Sequence, residues 1–150
     1  MSRAQPWRSM DGPEERAYLL SPAFRPIRVF LVEDSAAIRE RLNEGVASEG
    51  RIDVVGFAET EADAIAALNE LDCDAVVLDL VLRHGNGIEV LKSVRARHPG
   101  ARPLVVVFTN YVYAHYRNQC ARLGADYFFD KARDFDRVRE VIEDLILPKT

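Results

Sequence analysis

The strongest constraint on the fold is a regular alternation of short apolar runs with longer helical segments, which begins at Ile27. The apolar runs have the length of β-strands and lie at residues 27–33, 53–58, 74–79, 103–109 and 126–130. Apolar residues then recur at helical spacing in the segments 35–48, 60–71, 87–97, 112–122 and 134–147. Side chains suited to capping a helix N-terminus stand at Ser35, Thr60 and Asp134. The pattern predicts five strand–helix units.

Two of the runs indicate how the strands are covered. Residues 76–78 and 104–108 are continuously apolar rather than alternating, which is typical of parallel strands with helices on both faces. The chain has 150 residues, enough for one domain to bury a core without metals or disulfides. We therefore expect one doubly wound α/β domain over residues 26–150. Residues 1–25, which mix proline, glycine and both charges without a period, predict a flexible extension.

The composition disfavours several classes of protein. The net charge is -4 and the basic residues are scattered among acidic ones, so direct binding to nucleic acid is not expected. No apolar run approaches the roughly 18 residues of a membrane span, and the N-terminus lacks the apolar core of a secretory signal. We expect a cytoplasmic protein. Cys73 and Cys120 lie in apolar-periodic segments without metal-ligand spacing, which predicts buried free thiols.

Polar residues stand where the predicted strands end. In an open parallel sheet, ligands bind beyond the carboxyl ends of the strands, so these residues should meet at one edge. They are Glu33 and Asp34, Asp79, Thr109 and Asn110, and Asp130 and Lys131. Each one alone has an ordinary structural explanation, as a helix cap or a solvated loop residue. Together they predict a binding site, because carboxylates gathered at one edge repel one another unless a cation intervenes.

The ion that suits such a site is Mg²⁺, which prefers one or two carboxylates with waters and phosphate oxygens. This preference predicts Asp34 and Asp79 as direct ligands and Glu33 as a ligand through water. The backbone carbonyl of Val81 is a further candidate oxygen ligand.

Asp79 can also be a nucleophile rather than a ligand alone. Phosphoryl transfer requires in-line positioning and neutralisation of charge on the transferred oxygens. Mg²⁺, the Lys131 ammonium and the Thr109 hydroxyl would supply both. The sequence therefore makes Asp79 a candidate phosphoryl acceptor.

The pieces ED, LDLVLRHGNG, VVVFTN and GADYFFDKA, in this order, resemble the receiver domain of bacterial two-component response regulators. The resemblance covers about residues 27–147 and implies a flavodoxin-like sheet with strand order 2-1-3-4-5. It implies that Asp79 takes a phosphoryl group from a histidine kinase or a histidine phosphotransfer protein, with Mg²⁺ bound by Glu33, Asp34 and Asp79. It further implies that Thr109 and Lys131 bind the phosphoryl oxygens, and that Thr109 and Phe128 act as switch residues.

The chain departs from the family pattern at three positions. Glu33 replaces the commoner aspartate, which keeps the charge of the acidic pair. Ala132 follows Lys131 where the family usually has a proline with a cis bond, and the state of this bond stays open. Phe128 lacks the hydroxyl of the tyrosine found in some members. In relatives, the side chains at Val81 and Tyr111 modulate hydrolysis of the phosphoryl group, and their bulk predicts slow self-dephosphorylation.

The resemblance implies a signalling switch rather than an enzyme, a phospho-acceptor that catalyses its own phosphorylation and dephosphorylation. Because the sequence stops just past the last helix, we expect a stand-alone regulator without an output domain, acting as a monomer or weak dimer. Its protein target would bind the surface formed by residues 112–147. In the segment NYVYAHYRNQC, residues 110–120, Tyr111, Tyr113 and Tyr116 are either an aromatic interface or ordinary helix packing. A regulator and a phosphorelay shuttle both stay open.

Two other functions compete with this interpretation. One is a receiver-like interaction module that works without phosphorylation. The other is a small Mg²⁺-dependent phosphatase of the haloacid dehalogenase type, which also uses an aspartate nucleophile. Such enzymes usually need a second aspartate as general acid at the position that Val81 occupies here, and a cap domain. The histidines lack metal-ligand spacing, so the phosphoryl donor is expected on a separate protein.

Overall fold

The computed structural model describes residues 25–100 and 102–146. The strands are β1 Ile27–Val32, β2 Ile52–Ala58, β3 Ala75–Leu78, β4 Leu104–Thr109 and β5 Tyr127–Asp130. They form one parallel sheet in the order β2-β1-β3-β4-β5. The helices are α1 Ala36–Val46, α2 Glu61–Glu70, α3 Gly87–Arg97, α4 Ala114–Arg122 and α5 Phe135–Glu143. The predicted fold class and strand order are confirmed, whereas residues 1–24 of the predicted extension lie outside the described residues.

The apolar residues of the central strands divide between two cores, one on each face of the sheet. Val77 and Phe108 point to the face that packs against α1 and α5. Val76 and Val107, on the neighbouring positions, point to the face that packs against α2, α3 and α4. Side chains of a strand alternate between faces, so a strand buried on both must be apolar throughout. All four residues of β3 are buried, which explains its continuous apolar run.

The capping predictions are confirmed at two helices and wrong at a third. Ser35 Oγ accepts a hydrogen bond from the Ile38 amide, and Thr60 Oγ1 accepts one from Asp63. Asp134 precedes α5 but makes no side-chain cap bond. Its carboxylate instead accepts a hydrogen bond of 2.9 Å from the backbone amide of Asp130, which closes the turn before the helix.

An ionic network around Asp74 lies at the N-terminal end of β3, the central strand of the sheet. The buried carboxylate accepts hydrogen bonds from the Arg28 amide at 2.8 Å and from Arg25 Nη1 at 2.8 Å. Arg102 Nη1 donates a further bond at 2.9 Å. Burial would raise the pKa of Asp74, but the bonds from Arg25 and Arg28 outweigh it and lower this pKa. The folded state therefore favours the ionised carboxylate.

The two cysteines differ in burial. Both are free thiols, but Cys120 is buried whereas Cys73 is only half-buried, so the prediction of burial is wrong for Cys73. Burial raises the pKa of the Cys73 thiol to about 11, which leaves it protonated at neutral pH. Within residues 25–100 and 102–146, no helix has the length and apolar character needed to span a membrane.

Candidate functional site

The register of the sheet gathers the predicted polar residues at one edge. Val32 pairs with Leu78 and Leu78 with Val107, so β1 and β3 end side by side next to β4. Thr109, the last residue of β4, pairs with Asp130, the last of β5. The residues that follow these strands therefore enter the same space.

Three carboxylates occupy this space. Glu33, Asp34 and Asp79 each present an oxygen within 4.8 Å of the others. Glu33 and Asp79 are buried and Asp34 is half-buried. The Ser35 amide donates to Glu33 Oε2 at 3.0 Å, and the Leu80 amide donates to Asp79 Oδ1 at 2.7 Å. Backbone amides thus hold two of the carboxylates at the start of their loops.

Lys131 supplies the positive charge among these carboxylates. Its Nζ lies 2.7 Å from Asp79 Oδ2 and 2.7 Å from Glu33 Oε1. Burial would lower the pKa of Lys131, but the interactions with Asp79 and Glu33 outweigh it and raise this pKa. The pKa of Glu33 is raised by burial, against the opposing effect of Lys131 and the Ser35 amide. The ammonium is therefore held in the charged state.

The turn after β5 brings Lys131 into the site without a cis bond at Ala132. Among the described residues the cis peptide is Arg102–Pro103, so the Lys131–Ala132 bond is trans. The Lys131 amide donates to the Thr109 carbonyl at 3.0 Å, which anchors the turn to β4. The Ala132 amide donates to Asp130 Oδ1 at 2.8 Å. The Asp130 carboxylate thus stabilises the turn beside the site.

Gly87 packs directly against the backbone carbonyl of Asp79. The Gly87 amide donates to the Leu80 carbonyl at 2.9 Å at the start of α3. A Cβ atom at Gly87 would overlap the carbonyl oxygen of Asp79. This close approach requires glycine at this position. Asn86, the residue before Gly87, caps α3, since its Oδ1 accepts a hydrogen bond from the Glu89 amide at 3.0 Å.

The two predicted switch residues lie on neighbouring strands, Thr109 at the end of β4 and Phe128 in β5. Thr109 is fully buried, and its Oγ1 accepts a hydrogen bond from the Tyr111 amide at 3.2 Å. The guanidinium of Arg117 lies over the half-buried ring of Phe128, with its Cζ 4.6 Å from the ring centroid. Arg117 Nη1 also donates to the Phe128 carbonyl at 3.2 Å. The backbone and ring of Phe128 thus contact the same α4 side chain.

Two apolar side chains stand beside the site and remain open to solvent. Val81 is 46% exposed and Tyr111 is 42% exposed. Both line a groove of about 310 Å³ between the loop before α3 and the start of α4. Tyr113, further along, is also exposed, and Tyr116 is half-buried against the core under α4.

The site residues fit a hard divalent cation. Glu33 Oε1 is buried and lies 2.7 Å from Lys131 Nζ. One ammonium also leaves three carboxylates short of neutrality. Oxygen ligands of this kind and charge suit Mg²⁺. Asp34 and Asp79 would hold the ion directly, with Glu33 and the Val81 carbonyl as further oxygens.

One contact residue of this region escaped prediction. Arg39 stands one turn after the N-cap of α1, and its side chain leans back towards the start of the helix, as helical side chains do. Arg39 Nη1 donates to the Glu33 carbonyl at 2.9 Å. An arginine at this spacing after an acidic pair was the available signal, but its partner depends on the tertiary structure.

Comparison with known proteins shows the family to which the chain is similar. The family model described as the response regulator receiver domain matches residues 29–143. A protein-glutamate methylesterase/protein-glutamine glutaminase of Saccharophagus degradans is 34% identical over 110 residues, covering 73% of this chain and 31% of that protein. The response regulator protein VraR of Staphylococcus saprophyticus is 27% identical over 117 residues, covering 78% of this chain and 55% of that protein.

Solved structures show the same fold. The response regulator domain of Thermotoga maritima CheB superposes with a TM-score of 0.68 at 29% identity, covering 81% of this chain and 94% of that one. A chain of the CheX-CheY-BeF3-Mg+2 complex from Borrelia burgdorferi gives a TM-score of 0.71 at 22% identity, covering 83% of this chain and 92% of that one.

The fold and this edge of the sheet define a flavodoxin-like α/β domain with an acidic pocket. The chain belongs to the response regulator receiver domain family of two-component signalling. Receiver domains generally bind Mg²⁺ through such a pocket and interact with histidine kinases and phosphotransfer proteins. The chain spans between 22% and 55% of the length of the first curated relatives that it matches.

Proposed function

We propose that this chain is a phosphorylation-controlled signalling switch whose Asp79 accepts a phosphoryl group from a histidine kinase or a histidine phosphotransfer protein. The observation that carries the proposal is the position of Lys131 Nζ, 2.7 Å from Asp79 Oδ2, within a pocket of three carboxylates. A buried aspartate with an ammonium on one oxygen and a backbone amide on the other is oriented as an acceptor. Solvated aspartates that only cap helices have no such arrangement.

The transfer forms one bond and breaks one. A carboxylate oxygen of Asp79 attacks the phosphorus atom, and the bond from phosphorus to the donor nitrogen breaks. The electron pair of that bond stays on the imidazole, which is protonated as it leaves. Charge on the phosphoryl oxygens is offset by the Lys131 ammonium and by a hydrogen bond from the Thr109 hydroxyl.

Mg²⁺, when bound, supplies further neutralisation of charge on the transferred oxygens. Asp34 and Asp79 would bind it directly, with the Val81 carbonyl as another ligand and Glu33 reaching it through water. Glu33 stays in contact with Lys131 and so keeps the ammonium within the pocket. Glutamate at this position therefore retains the charge of the acidic pair.

The direct test is the intact mass of the protein after incubation with acetyl phosphate and Mg²⁺. We expect an adduct of one phosphoryl group that is lost on chelation of Mg²⁺ before the reaction and is absent from Asp79→Asn. Asp53→Asn is the matched control, since Asp53 is an exposed aspartate near the start of β2, at the other end of the sheet from the site. Absence of an adduct despite bound Mg²⁺, without rapid turnover of acetyl phosphate, would reject the proposal.

The side chains beside the site support slow self-dephosphorylation. Val81 and Tyr111 lie beside the site, and their bulk would hinder an attacking water. We expect the aspartyl phosphate to persist for longer than in fast chemotaxis regulators, measured by the decay of the mass adduct after removal of the donor. Val81→Asn, which adds a hydrogen-bonding group, should shorten its lifetime.

Output is proposed to occur through a protein that binds the surface of residues 112–147, where α4, β5 and α5 lie. Phosphorylation acts on this surface only through a differential affinity for two arrangements of the domain. The chain is proposed to work there as a monomer or weak dimer. Transfer of the phosphoryl group to a histidine phosphotransfer protein would identify a relay shuttle, and tighter binding of a target after phosphorylation would identify a regulator.

A further inference from the structure

Arg39 connects the loop of the acidic pair to the neighbouring loop, as its contacts show. Its Nη1 donates to the Glu33 carbonyl at 2.9 Å and lies 2.9 Å from Glu59 Oε2. Its Cζ lies 3.9 Å from the centroid of the Phe57 ring. Only 15% of the Arg39 side chain is exposed. One residue of α1 is therefore held by a carbonyl, a carboxylate and an aromatic ring.

Glu59 extends the connection to a third loop. Its other carboxylate oxygen, Oε1, lies 3.1 Å from Arg83 Nη1, in the segment between β3 and α3. The Arg83 amide donates to the Glu59 carbonyl at 3.2 Å. The loops that follow β1, β2 and β3 are thus joined side by side, and two of them carry Glu33, Asp34 and Asp79.

The hydrogen bond to the Glu33 carbonyl bears directly on Asp34. The carbonyl of Glu33 and the amide of Asp34 belong to one planar peptide group. A hydrogen bond that holds the carbonyl oxygen therefore also fixes the orientation of the Asp34 backbone amide. The Ser35 amide and Lys131 hold the side chain of Glu33. No hydrogen bond or ion pair among the described residues restrains the Asp34 carboxylate itself. Its position depends on the backbone that carries it.

We propose that Arg39 is a positioning residue for the metal site, which fixes the Glu33–Asp34 peptide so that Asp34 binds Mg²⁺. Glu59 supports this role, because it orients the Arg39 guanidinium. It also offsets the positive charge of Arg39 beside a site that must attract a cation. The inference rests on the proposed function. Groups that orient metal ligands contribute to affinity although they do not touch the ion.

The sign of the effect separates positioning from simple electrostatics. If Arg39 acted only through its charge, its removal from the neighbourhood of an anionic pocket would tighten binding of Mg²⁺. If it holds the peptide, its removal weakens binding. For Arg39→Gln we expect about tenfold weaker binding, at the low end of effects on ligand-orienting groups.

The measurement is competition of Mg²⁺ against Mn²⁺, with free Mn²⁺ counted by electron paramagnetic resonance, so it needs no phosphorylation. Arg41→Gln is the matched control: it removes the same charge from the same helix, where Arg41 stacks on Phe135 at 4.5 Å. We expect its affinity for Mg²⁺ to stay within about twofold of the unchanged protein, as expected of a surface charge. Equal or tighter binding by Arg39→Gln would overturn the proposal.

Arg39→Lys provides a second test if Arg39→Gln does not fold. Lysine keeps the charge but replaces a planar fork by a single ammonium, which cannot serve the carbonyl, Glu59 and the ring together. We expect weaker binding of Mg²⁺ here too, and an unchanged affinity would contradict positioning by the guanidinium. Glu59→Gln should weaken binding as well, and the double variant should be no weaker than Arg39→Gln.

The outcomes also distinguish this inference from the proposed function. If the unchanged protein binds Mg²⁺ and forms the Asp79 adduct while Arg39→Gln binds equally well, only the role of Arg39 is lost. If the unchanged protein binds no Mg²⁺, the proposed metal-assisted phosphorylation and the role of Arg39 are both rejected. With Arg39→Gln we expect the adduct to return at saturating Mg²⁺, which separates weakened metal binding from a damaged acceptor.

Discussion

Replacing Lys131 by methionine should destabilise the protein strongly when Mg²⁺ is absent. The Lys131 side chain is 9% exposed, and its two partners, Glu33 and Asp79, are 2% and 7% exposed. Removing one partner of a buried ion pair costs about 3–5 kcal/mol, because a desolvated charge is left without compensation. The amides of Ser35 and Leu80 still contact the two carboxylates, so we expect about 3 kcal/mol, near the lower limit.

Mg²⁺ should reverse much of this loss. A divalent cation can replace the ammonium as the compensating charge, and the variant no longer has the competing Lys131 charge in the pocket. Binding to the folded state stabilises it by about 2.7 kcal/mol when the ligand is at 100 times its dissociation constant. We therefore expect Mg²⁺ to raise the free energy of unfolding more in Lys131→Met than in the unchanged protein.

Urea unfolding at pH 7, once with a chelator and once with Mg²⁺, measures both effects. Arg133→Met is the matched control, since Arg133 is exposed in the same turn and its replacement removes the same charge. Its free energy of unfolding should change by less than about 0.5 kcal/mol, as for other surface substitutions. A loss below about 1 kcal/mol in Lys131→Met, the value of an exposed pair, or a loss that Mg²⁺ does not reduce, would refute the reasoning.

Three further predictions concern other parts of the domain. Asp74→Asn should lower the free energy of unfolding by about 1–3 kcal/mol at pH 7. Because folding lowers the pKa of Asp74, the stabilisation is present above the unfolded pKa near 4 and is lost as the pH falls through the folded pKa. Urea unfolding should therefore give the two proteins converging stabilities in acid. Gly87→Ala should lower the melting temperature and the yield of the mass adduct, since the added Cβ displaces the Asp79 carbonyl, whereas Gly100→Ala meets open space and should change neither. At pH 7, iodoacetamide should modify Cys73 much more slowly in the folded protein than in urea, because its pKa of about 11 leaves little thiolate, and equal rates by mass spectrometry would contradict this.

The sheet was predictable because its central strands are covered on both faces. An uninterrupted apolar run, as in β3, has few other structural explanations at that length. The end of α5 was less predictable. The helix was expected to continue to residue 147, but it ends at Glu143. Ile146 lies past the helix but is still buried in the core. The apolar pattern in the sequence therefore continues beyond the last helical residue.

Local sequence did not specify the partners of two side chains that precede helices. Asp134 was predicted to cap α5, yet its carboxylate accepts a hydrogen bond from the amide of Asp130 instead. Asn86 caps α3 through its side chain, a role that was not predicted. Residues of this type bond to whichever nearby amide the backbone presents. The choice depends on the path of the turn, which a single sequence does not specify.

The contacts of long side chains depend on which loops the strand order brings together. Arg39 meets Glu59 because β1 and β2 are neighbours, and Arg117 reaches Phe128 because α4 packs beside β5. Neither pair has a sequence spacing that predicts contact. The position of Lys131 was different, because it follows directly from the parallel ends of the strands. Ordered strand ends are visible in the sequence, whereas partners between loops are not.

The partners of Lys131 and Thr109 also bear on how the proposed switch would operate. In the unphosphorylated domain Lys131 already contacts Asp79, and Thr109 Oγ1 already accepts a bond from the Tyr111 amide. A phosphoryl group on Asp79 would offer Lys131 new oxygens, while the Thr109 hydroxyl would donate to one of them. The free energy that shifts the domain is then the difference between the new contacts and the old ones. Phe128 would follow only if that difference exceeds the contacts that Arg117 makes with its ring and carbonyl, so weakening them should favour the switched arrangement.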